Sequence, residues 1–266
     1  MDFKKIVQDG KFDLHMHTTA SDGDYTPEDV VEKAYDAGLQ TIAITDHDTM
    51  AGLEAALDTG KKLGINVIRG IELSTKFRGK TVDILGYNLA STAKLEQILK
   101  EMRSEREDRA TRIIKKFTDL GMPISLDDVN KYSQGDVISR PHIAKAVVEK
   151  GYVKDSQMVF DLYLADGRPC AVDKMVITPE EGIQLIKEAG GIAVLAHPVL
   201  LGDDKLVLKL LQFPFDGIEV WHRKQNKADN KRYEALAGQF GLIMTGGSDF
   251  HNDQHQLGVF GFSMQA

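Results

Sequence analysis

With 266 residues, 42% apolar and 27% charged, the chain is long enough for one large α/β domain or a domain carrying an insertion, under an ordinary polar surface. A net charge of −7 argues against a general nucleic-acid coat but allows a nucleotide held through bound cations. The single cysteine, Cys170, excludes an internal disulfide and suits a reducing cytoplasm; neither the N-terminus MDFKKIVQDG nor any later run has the apolar length of a signal or membrane-spanning segment.

FDLHMH (12–17) predicts a first strand. TPEDVVEKAYDAG predicts a helix, with Thr26 as N-cap, Pro27 in the first helical position, Glu28 and Asp29 in the first turn and Gly38 as the stop. TIAIT is a β-branched strand ending in DHDT, and AGLEAALDTGKKL is a helix that stops at Gly64. NVIRGIEL and TVDILGY predict the third and fourth strands. This alternation points to a parallel sheet or barrel. From Ala93 to Val172 the pattern turns helical: KLEQILKEMRSEREDRATRIIKKFTDLG, then RPHIAKAVVEKG, then KDSQMVFDLYL. Alternation resumes with the helix TPEEGIQLIKEAG and the strands GIAVLAHP, GIEVW and LIMTGG. The expectation is one α/β barrel in two parts, 1–92 and 173–266, interrupted by a helical insertion at 93–172.

The unusual polar residues fall at strand ends. His15 and His17 close the first strand, and side chains at i and i+2 leave a strand from one face. Asp46 and His47 close the second, Glu72 the third, and His197 the GIAVLA strand; Asp83 sits in the fourth strand; Asp249 and His251 follow the last. In parallel α/β folds the C-terminal strand ends form one face, where sites are built. Five of the eight histidines lie there. A single His-x-His would read as polar residues at a strand end; the whole set predicts convergence. Imidazoles and carboxylates without cysteine suit divalent metals such as Mn²⁺, Fe²⁺ or Zn²⁺. The groups are too many for one ion, so two or three ions sharing a carboxylate are expected, with Glu72 as the natural bridge. Such a cluster suits phosphate ester hydrolysis, because it makes hydroxide near neutral pH and neutralises charge on the attacking and leaving oxygens.

DLHMHTTASDG, ITDHDT, GIEL, VLAHP and GGSDFH resemble the motifs of the polymerase and histidinol phosphatase (PHP) family. RSEREDRATRI, SRPHIAKAVVEKGY, AGGIAVLAHP and IEVWH are similar to one branch, which acts on 3′,5′-bisphosphonucleotides and the 5′ ends of short RNAs. The resemblance covers nearly the whole chain. It implies a distorted (β/α)7 TIM-like barrel and a trinuclear metal site. It also implies three ligand groups: His15, His17, Glu72 and Asp249 on one ion; Glu72, Asp83 and His197 on a second; Asp22, His47 and His251 on a third. His15, His17, Glu72, His197 and Asp249 would carry the catalytic chemistry. Where this branch usually has His before the ILGY run, the chain has Asp83; a shorter, harder, charged ligand predicts a shift toward Mn²⁺ or Mg²⁺, or a weaker ion.

Substrate contacts are expected from Arg140 and His142 in SRPHIA, where Pro141 would start a helix and place Arg140 at its N-terminus, and from His222 in EVWHRKQN. A plain salt bridge is the bland reading of Arg140, and a structural role that of His222, which Arg223 follows where family members often have proline. Arg103, Arg106, Arg109 and Arg112 read as a solvated helix face or as a lining of the approach, and Arg168 and Lys174 are further phosphate candidates. Asp46 reads as a ligand or as support for a histidine; Asp13 and Asp48 as structural; His255 as a surface residue.

The expected function is a metal-dependent phosphoesterase, cytoplasmic, using two or three divalent ions with Mn²⁺ foremost and Zn²⁺, Fe²⁺ or Mg²⁺ as alternatives. Its substrate would be a small nucleotide or short RNA, with no membrane and no obligate protein partner. The rivals are a histidinol phosphatase, a nuclease on longer chains, and a metal-binding scaffold with a degraded site marked by Asp83.

Overall fold

The structure, a computed structural model, describes residues 2–133, 138–172 and 177–262, without the side chains of Arg103, Glu105, Arg106 and Glu107. Lys174 and the side chains of Arg103 and Arg106, all considered above as basic contacts, therefore lie outside the described residues.

Seven strands form one sheet in chain order: β1 (Phe12–Asp13), β2 (Thr41–Ile44), β3 (Asn66–Phe77), β4 (Lys80–Tyr87), β5 (Ile192–Leu195), β6 (Gly217–His222) and β7 (Ile243–Gly247). The sheet curls until its ends meet. Leu14 N–H donates to the Gly246 carbonyl at 3.1 Å, and Met16 bridges Phe250 in parallel. Helices cover the strands as their caps predict. Thr26 Oγ1 accepts from Asp29 N–H at 3.1 Å at the start of Pro27–Asp36, and Thr178 caps Pro179–Glu188 in the same way. None of the described helices is long and apolar enough to cross a membrane.

Two expectations are corrected. The sheet is not parallel throughout, because β4 runs antiparallel to both β3 and β5. Only Arg78 and Gly79 join β3 to β4, both at positive φ (51° and 83°), a two-residue hairpin that leaves no room for a crossover. Glu72 does not close its strand either. β3 continues to Phe77, so Glu72 projects from mid-strand, two residues from Ser74, which faces Asp83 across the hairpin. The hairpin thus carries both carboxylates into the barrel mouth.

The main core gathers Leu14, Ile71, Ile84, Val194, Ile218 and their neighbours. A second core, drawn from residues between Ala110 and Cys170, includes Ile113, Phe117, Val129, Ile143, Val147 and Leu164. Helix Ala93–Asp119 belongs to both: Leu95, Leu99 and Met102 pack on the barrel, Ala110, Ile113 and Phe117 on the second core. Asp24 and Lys145 add an ion pair between a barrel loop and helix Arg140–Glu149, at 3.0 Å.

Candidate metal centre

Beyond Asp13 the chain stays extended through His17, bonded on one side by Thr45 N–H to the Met16 carbonyl and on the other by His17 N–H to Phe250. His15 and His17 therefore point the same way, ring centroids 5.2 Å apart. The Glu72 carboxylate sits among four imidazoles. Oε2 lies 3.2 Å from His15 Nε2, 3.1 Å from His17 Nε2 and 3.3 Å from His47 Nδ1; Oε1 lies 2.8 Å from His197 Nε2. Asp249 Oδ1 faces His17 Nε2 at 3.3 Å and His251 Nδ1 at 3.4 Å; Asp22 Oδ1 faces His251 Nε2 at 3.3 Å. Asp83 Oδ2 is 3.9 Å from His197 Nε2.

Four overlapping sets have ligand atoms within 4.8 Å of one another: His17, Asp22, His47, His251; His15, His17, Asp249; His15, Glu72, His197; and His47, Glu72, Asp83. All nine sequence-predicted ligands fall in these sets. Asp83 groups with His47 and Glu72, and His197 with His15 and Glu72, so the second group expected from the resemblance is spread over two sets. Buried His15 Nε2, both ring nitrogens of His17, Asp22 Oδ1 and His47 Nδ1 have no hydrogen-bond partner. Buried polar atoms are rarely left so. His197 Nε2 is hydrogen-bonded to Glu72 Oε1, but the other imidazole and carboxylate atoms named here face one another without a hydrogen bond, as common ligands would, and a donor set of nitrogen and oxygen fits divalent ions.

The electrostatics agree. Burial alone would keep the imidazoles neutral and the carboxylates protonated. Instead Glu72 and Glu219 hold His15 well above its ordinary value; Asp249 and Glu72 push His17 up to about 10; Glu72 and Asp83 push His197 up to about 9. Reciprocally, His47 and His15 hold Glu72, His47 and His251 hold Asp22, and His17 and His222 hold Asp249, all well below the carboxylate range. The cluster needs positive charge, from protons or from cations. Backbone strain marks it too, with His197 at φ 24° and Asp249 at φ 51°, a region that non-glycine residues rarely adopt.

Glu219 is the functional residue that sequence reasoning missed. Fully buried in β6, it takes His15 Nδ1–H on Oε1 at 3.1 Å and the His197 backbone N–H on Oε2 at 2.7 Å. The first bond directs His15 Nε2 to the cluster. The signal was a carboxylate inside the apolar run GIEVW. Alternation hid it, because a bulge between Glu219 and Trp221 lets Glu219 and His222, three residues apart, reach the same site. His222 is buried, with Nε2 3.3 Å from Asp249 Oδ2 and Nδ1 accepting from Lys224 N–H, so its contacts are those of a support for Asp249.

The other acidic residues are scaffolding. Asp46 accepts from Thr18 N–H (2.7 Å), Thr18 Oγ1 and Ser21 Oγ, which fixes the turn ahead of Asp22; it supports no histidine. Asp48 Oδ1 accepts from Ser74 N–H at 2.7 Å. Asp13, pushed up to about 6 by burial, accepts from the backbone of His15, Ser248 and Gly258. His255 is half-buried rather than a surface residue, its Nδ1 accepting from His251 N–H at 3.2 Å.

A cleft of about 230 Å³ adjoins the cluster; its lining includes Asp22, His47 and Asp83 together with Lys76, Arg109, Arg140 and Asp166. Arg140 opens helix Arg140–Glu149 and donates to the Leu164 carbonyl and Asp166 Oδ1, so the salt-bridge reading and the cleft position coexist. His142 Nδ1 accepts from Ser139 N–H at 3.3 Å as part of that helix's cap. Arg168 is exposed outside the cleft lining, and Arg112 Nε donates to the Asp108 carbonyl.

The profile of the PHP domain matches residues 13–163. Over 247 residues, covering 91% of this chain and 90% of its own, the chain is 34% identical to a 5′-3′ exoribonuclease of Haemophilus influenzae. It is 32% identical to a 3′,5′-nucleoside bisphosphate phosphatase of Chromobacterium violaceum, covering 90% of this chain and 86% of that one. A solved structure from Bifidobacterium adolescentis, described as a metal-dependent phosphoesterase, superposes with a TM-score of 0.85 at 30% identity over 94% of this chain and 91% of that one.

Proposed function

The chain belongs to the PHP domain family, and on that premise we propose that it is a metal-dependent phosphoesterase acting on phosphate esters of nucleotides, a 3′,5′-bisphosphonucleotide or the 5′ end of a short RNA. The observation that carries this reading is the gathering of nine imidazole and carboxylate side chains, Glu72 among them, beside a cleft whose lining also includes Lys76, Arg109 and Arg140.

His15, His17 and Asp249, with Glu72 shared, would hold one ion; Asp22, His47 and His251 another. Glu72 and His197 would hold a further ion, with Asp83 reaching it from the set it forms with His47 and Glu72. Divalent ions so held supply a hydroxide nucleophile near neutral pH and neutralise charge on the attacking and leaving oxygens. Glu219 keeps His15 turned to the cluster, and His222 braces Asp249. Arg140, on the cleft wall, holds a substrate phosphate; its fork can keep one bond to Leu164 or Asp166 and still donate to an anion. In the balanced reaction water adds to phosphorus and the ester oxygen leaves with the proton: a terminal monoester gives inorganic phosphate and an alcohol, and the phosphodiester at an RNA 5′ end gives a mononucleotide and a shortened chain. Mn²⁺ is the foremost ion for this mixed set, with Mg²⁺ favoured at Asp83. A cytoplasmic setting is proposed too, in keeping with one buried free cysteine. The scaffold reading loses support from Asp83 itself, which reaches the cluster alongside His47 and Glu72.

The test is phosphate release from 3′-phosphoadenosine 5′-phosphate by Mn²⁺-loaded protein. Release abolished by chelator and by His17→Ala supports the proposal. Folded, metal-loaded protein that releases nothing from this substrate, from 5′-phosphorylated RNA or from histidinol phosphate would overturn it.

A further inference from the structure

A second cleft, about 340 Å³, is lined by Arg223, Lys224, Gln254 and His255. No residue lines both clefts. The first meets the cluster at Asp22, His47 and Asp83; the second meets it at Asp249, through Arg223. The candidate ligands thus border both clefts. The volume is within the range of small-ligand sites, about 300–1,000 Å³.

Arg223 is tied to the cluster. One terminal nitrogen donates to Asp249 Oδ2 at 2.6 Å, the oxygen that His222 also contacts, while Oδ1 faces His17. Its Nε is buried without a hydrogen-bond partner. The guanidinium is tethered to a single carboxylate oxygen, and it has further donors that this bond does not use. Lys224 is exposed at the cleft wall. His255, whose Nδ1 accepts from His251 N–H, carries its proton on Nε2 when neutral and is then a further donor. A wall of donors beside a phosphoesterase cluster suits an anion. A mononucleotide bisphosphate with one phosphate over the cluster and the other at Arg140 leaves this wall unused. A chain that continues past the scissile ester does not.

We propose that the Arg223–Lys224 cleft is a second phosphate subsite, which takes the next phosphodiester of a short single-stranded oligonucleotide whose scissile phosphate lies over the cluster. This rests on the phosphoesterase reading and deepens it. The two clefts together make the enzyme an oligonucleotide-processing one, with the bisphosphonucleotide as its shortest substrate.

The experiment uses the full, Mn²⁺-loaded chain. A fluorescent 5′-phosphorylated tetraribonucleotide with phosphorothioate linkages is titrated by anisotropy over a range of salt, beside 3′-phosphoadenosine 5′-phosphate as competitor. Phosphate release from the bisphosphonucleotide and mononucleotide release from the unmodified tetranucleotide are measured in parallel. Lys224→Ala and Lys224→Glu should weaken the tetranucleotide more than the bisphosphonucleotide, by tenfold or more in the ratio for the charge reversal. The log–log salt slope for the tetranucleotide should fall by about 0.7 for the lost contact. Arg223→Lys, which keeps the charge near Asp249 but loses the fork, should lower the same ratio. Equal weakening of both ligands, an unchanged slope, or no tetranucleotide binding by the wild type would overturn the subsite. Tetranucleotide binding that depends on Lys224, with neither phosphate released from the bisphosphonucleotide nor mononucleotide from the tetranucleotide, would leave the subsite standing and overturn the phosphoesterase reading.

Discussion

Glu219 and His15 meet Oε1 to Nδ1 at 3.1 Å, with both side chains fully buried. The other oxygen of Glu219 takes the backbone N–H of His197 at 2.7 Å, so one carboxylate positions ligands from β1 and β5 at once. Glu219→Gln keeps the size of the side chain but turns one of these acceptors into a donor. Supporting contacts of this kind are worth about 10–100-fold in metal affinity. The expected outcome is a fall of that order in Mn²⁺ affinity by calorimetry, with the secondary structure kept. Wild-type affinity in Glu219→Gln would show that His15 is oriented without it.

Gly247 ends β7 where the strand passes closest to β1. A Cβ there would sit 2.3 Å from His15 Cβ and 2.5 Å from His15 N, so backbone would have to move. Gly247→Ala should cost about 1–3 kcal/mol as overpacking and should lower metal loading by shifting His15. Gly238, inside helix Lys227–Phe240, has nothing within 4 Å of a Cβ position. Gly238→Ala should therefore stabilise by about 0.5–1 kcal/mol with metal loading unchanged. Denaturant unfolding and metal analysis of the pair check both, and a Gly247→Ala protein as stable as the wild type would show that the strands can part without cost.

His17 and His197 are pushed up to about 10 and about 9 by their carboxylate neighbours, so below those values they carry protons that an incoming ion must displace. Apparent metal affinity should rise with pH up to that window, and loading near pH 7.5 should release protons. Calorimetry in buffers of different ionisation enthalpy measures the release; a binding heat independent of buffer would refute it. The sign for stability follows. Raised histidines stabilise the fold below their unfolded value near 6.5, and this is lost as pH rises through 9 to 10. Chelated protein should therefore be less stable at pH 10 than at pH 7, and Mn²⁺ should recover most of the difference.

The convergence of these side chains was legible because their chemistry is local. His-x-His, DHD, VLAHP and SDFH each place polar side chains at the end of a β-branched or apolar run, and parallel strands bring such ends together. What escaped were features set by pairing. The Arg78–Gly79 hairpin turns β4 antiparallel and puts Glu72 mid-strand, while a one-residue bulge in β6 brings Glu219 to the face that plain alternation would deny it together with His222. Asp46 looked like a ligand beside His47, but its partners, Thr18 and Ser21, lie some twenty-five residues back in the chain, where spacing alone carries no signal. The helical stretch between β4 and β5 was visible as a change of period; that helix Ala93–Asp119 serves two cores follows only from which of its faces meet which neighbours.

Asp83 enters from β4, opposite Ser74 in register, with Oδ2 3.9 Å from His197 Nε2 and its carboxylate grouped with His47 and Glu72. A carboxylate there adds negative charge and hard oxygen to an ion already facing Glu72, which favours Mn²⁺ or Mg²⁺ over Zn²⁺. Asp83→Asn keeps the shape and removes the charge; it should lose one ion per chain. Asp83→His replaces oxygen with the softer imidazole nitrogen; it should regain that ion and move the selection toward Zn²⁺. Both follow from metal analysis after equilibration with equimolar Mn²⁺ and Zn²⁺. If all three proteins hold the same ions in the same ratio, Asp83 is no ligand and the second ion rests on Glu72 and His197 alone. If Asp83→Asn loses the ion while phosphate release persists, the remaining ligands suffice for the chemistry, and the residue at this position tunes the site without being required by it.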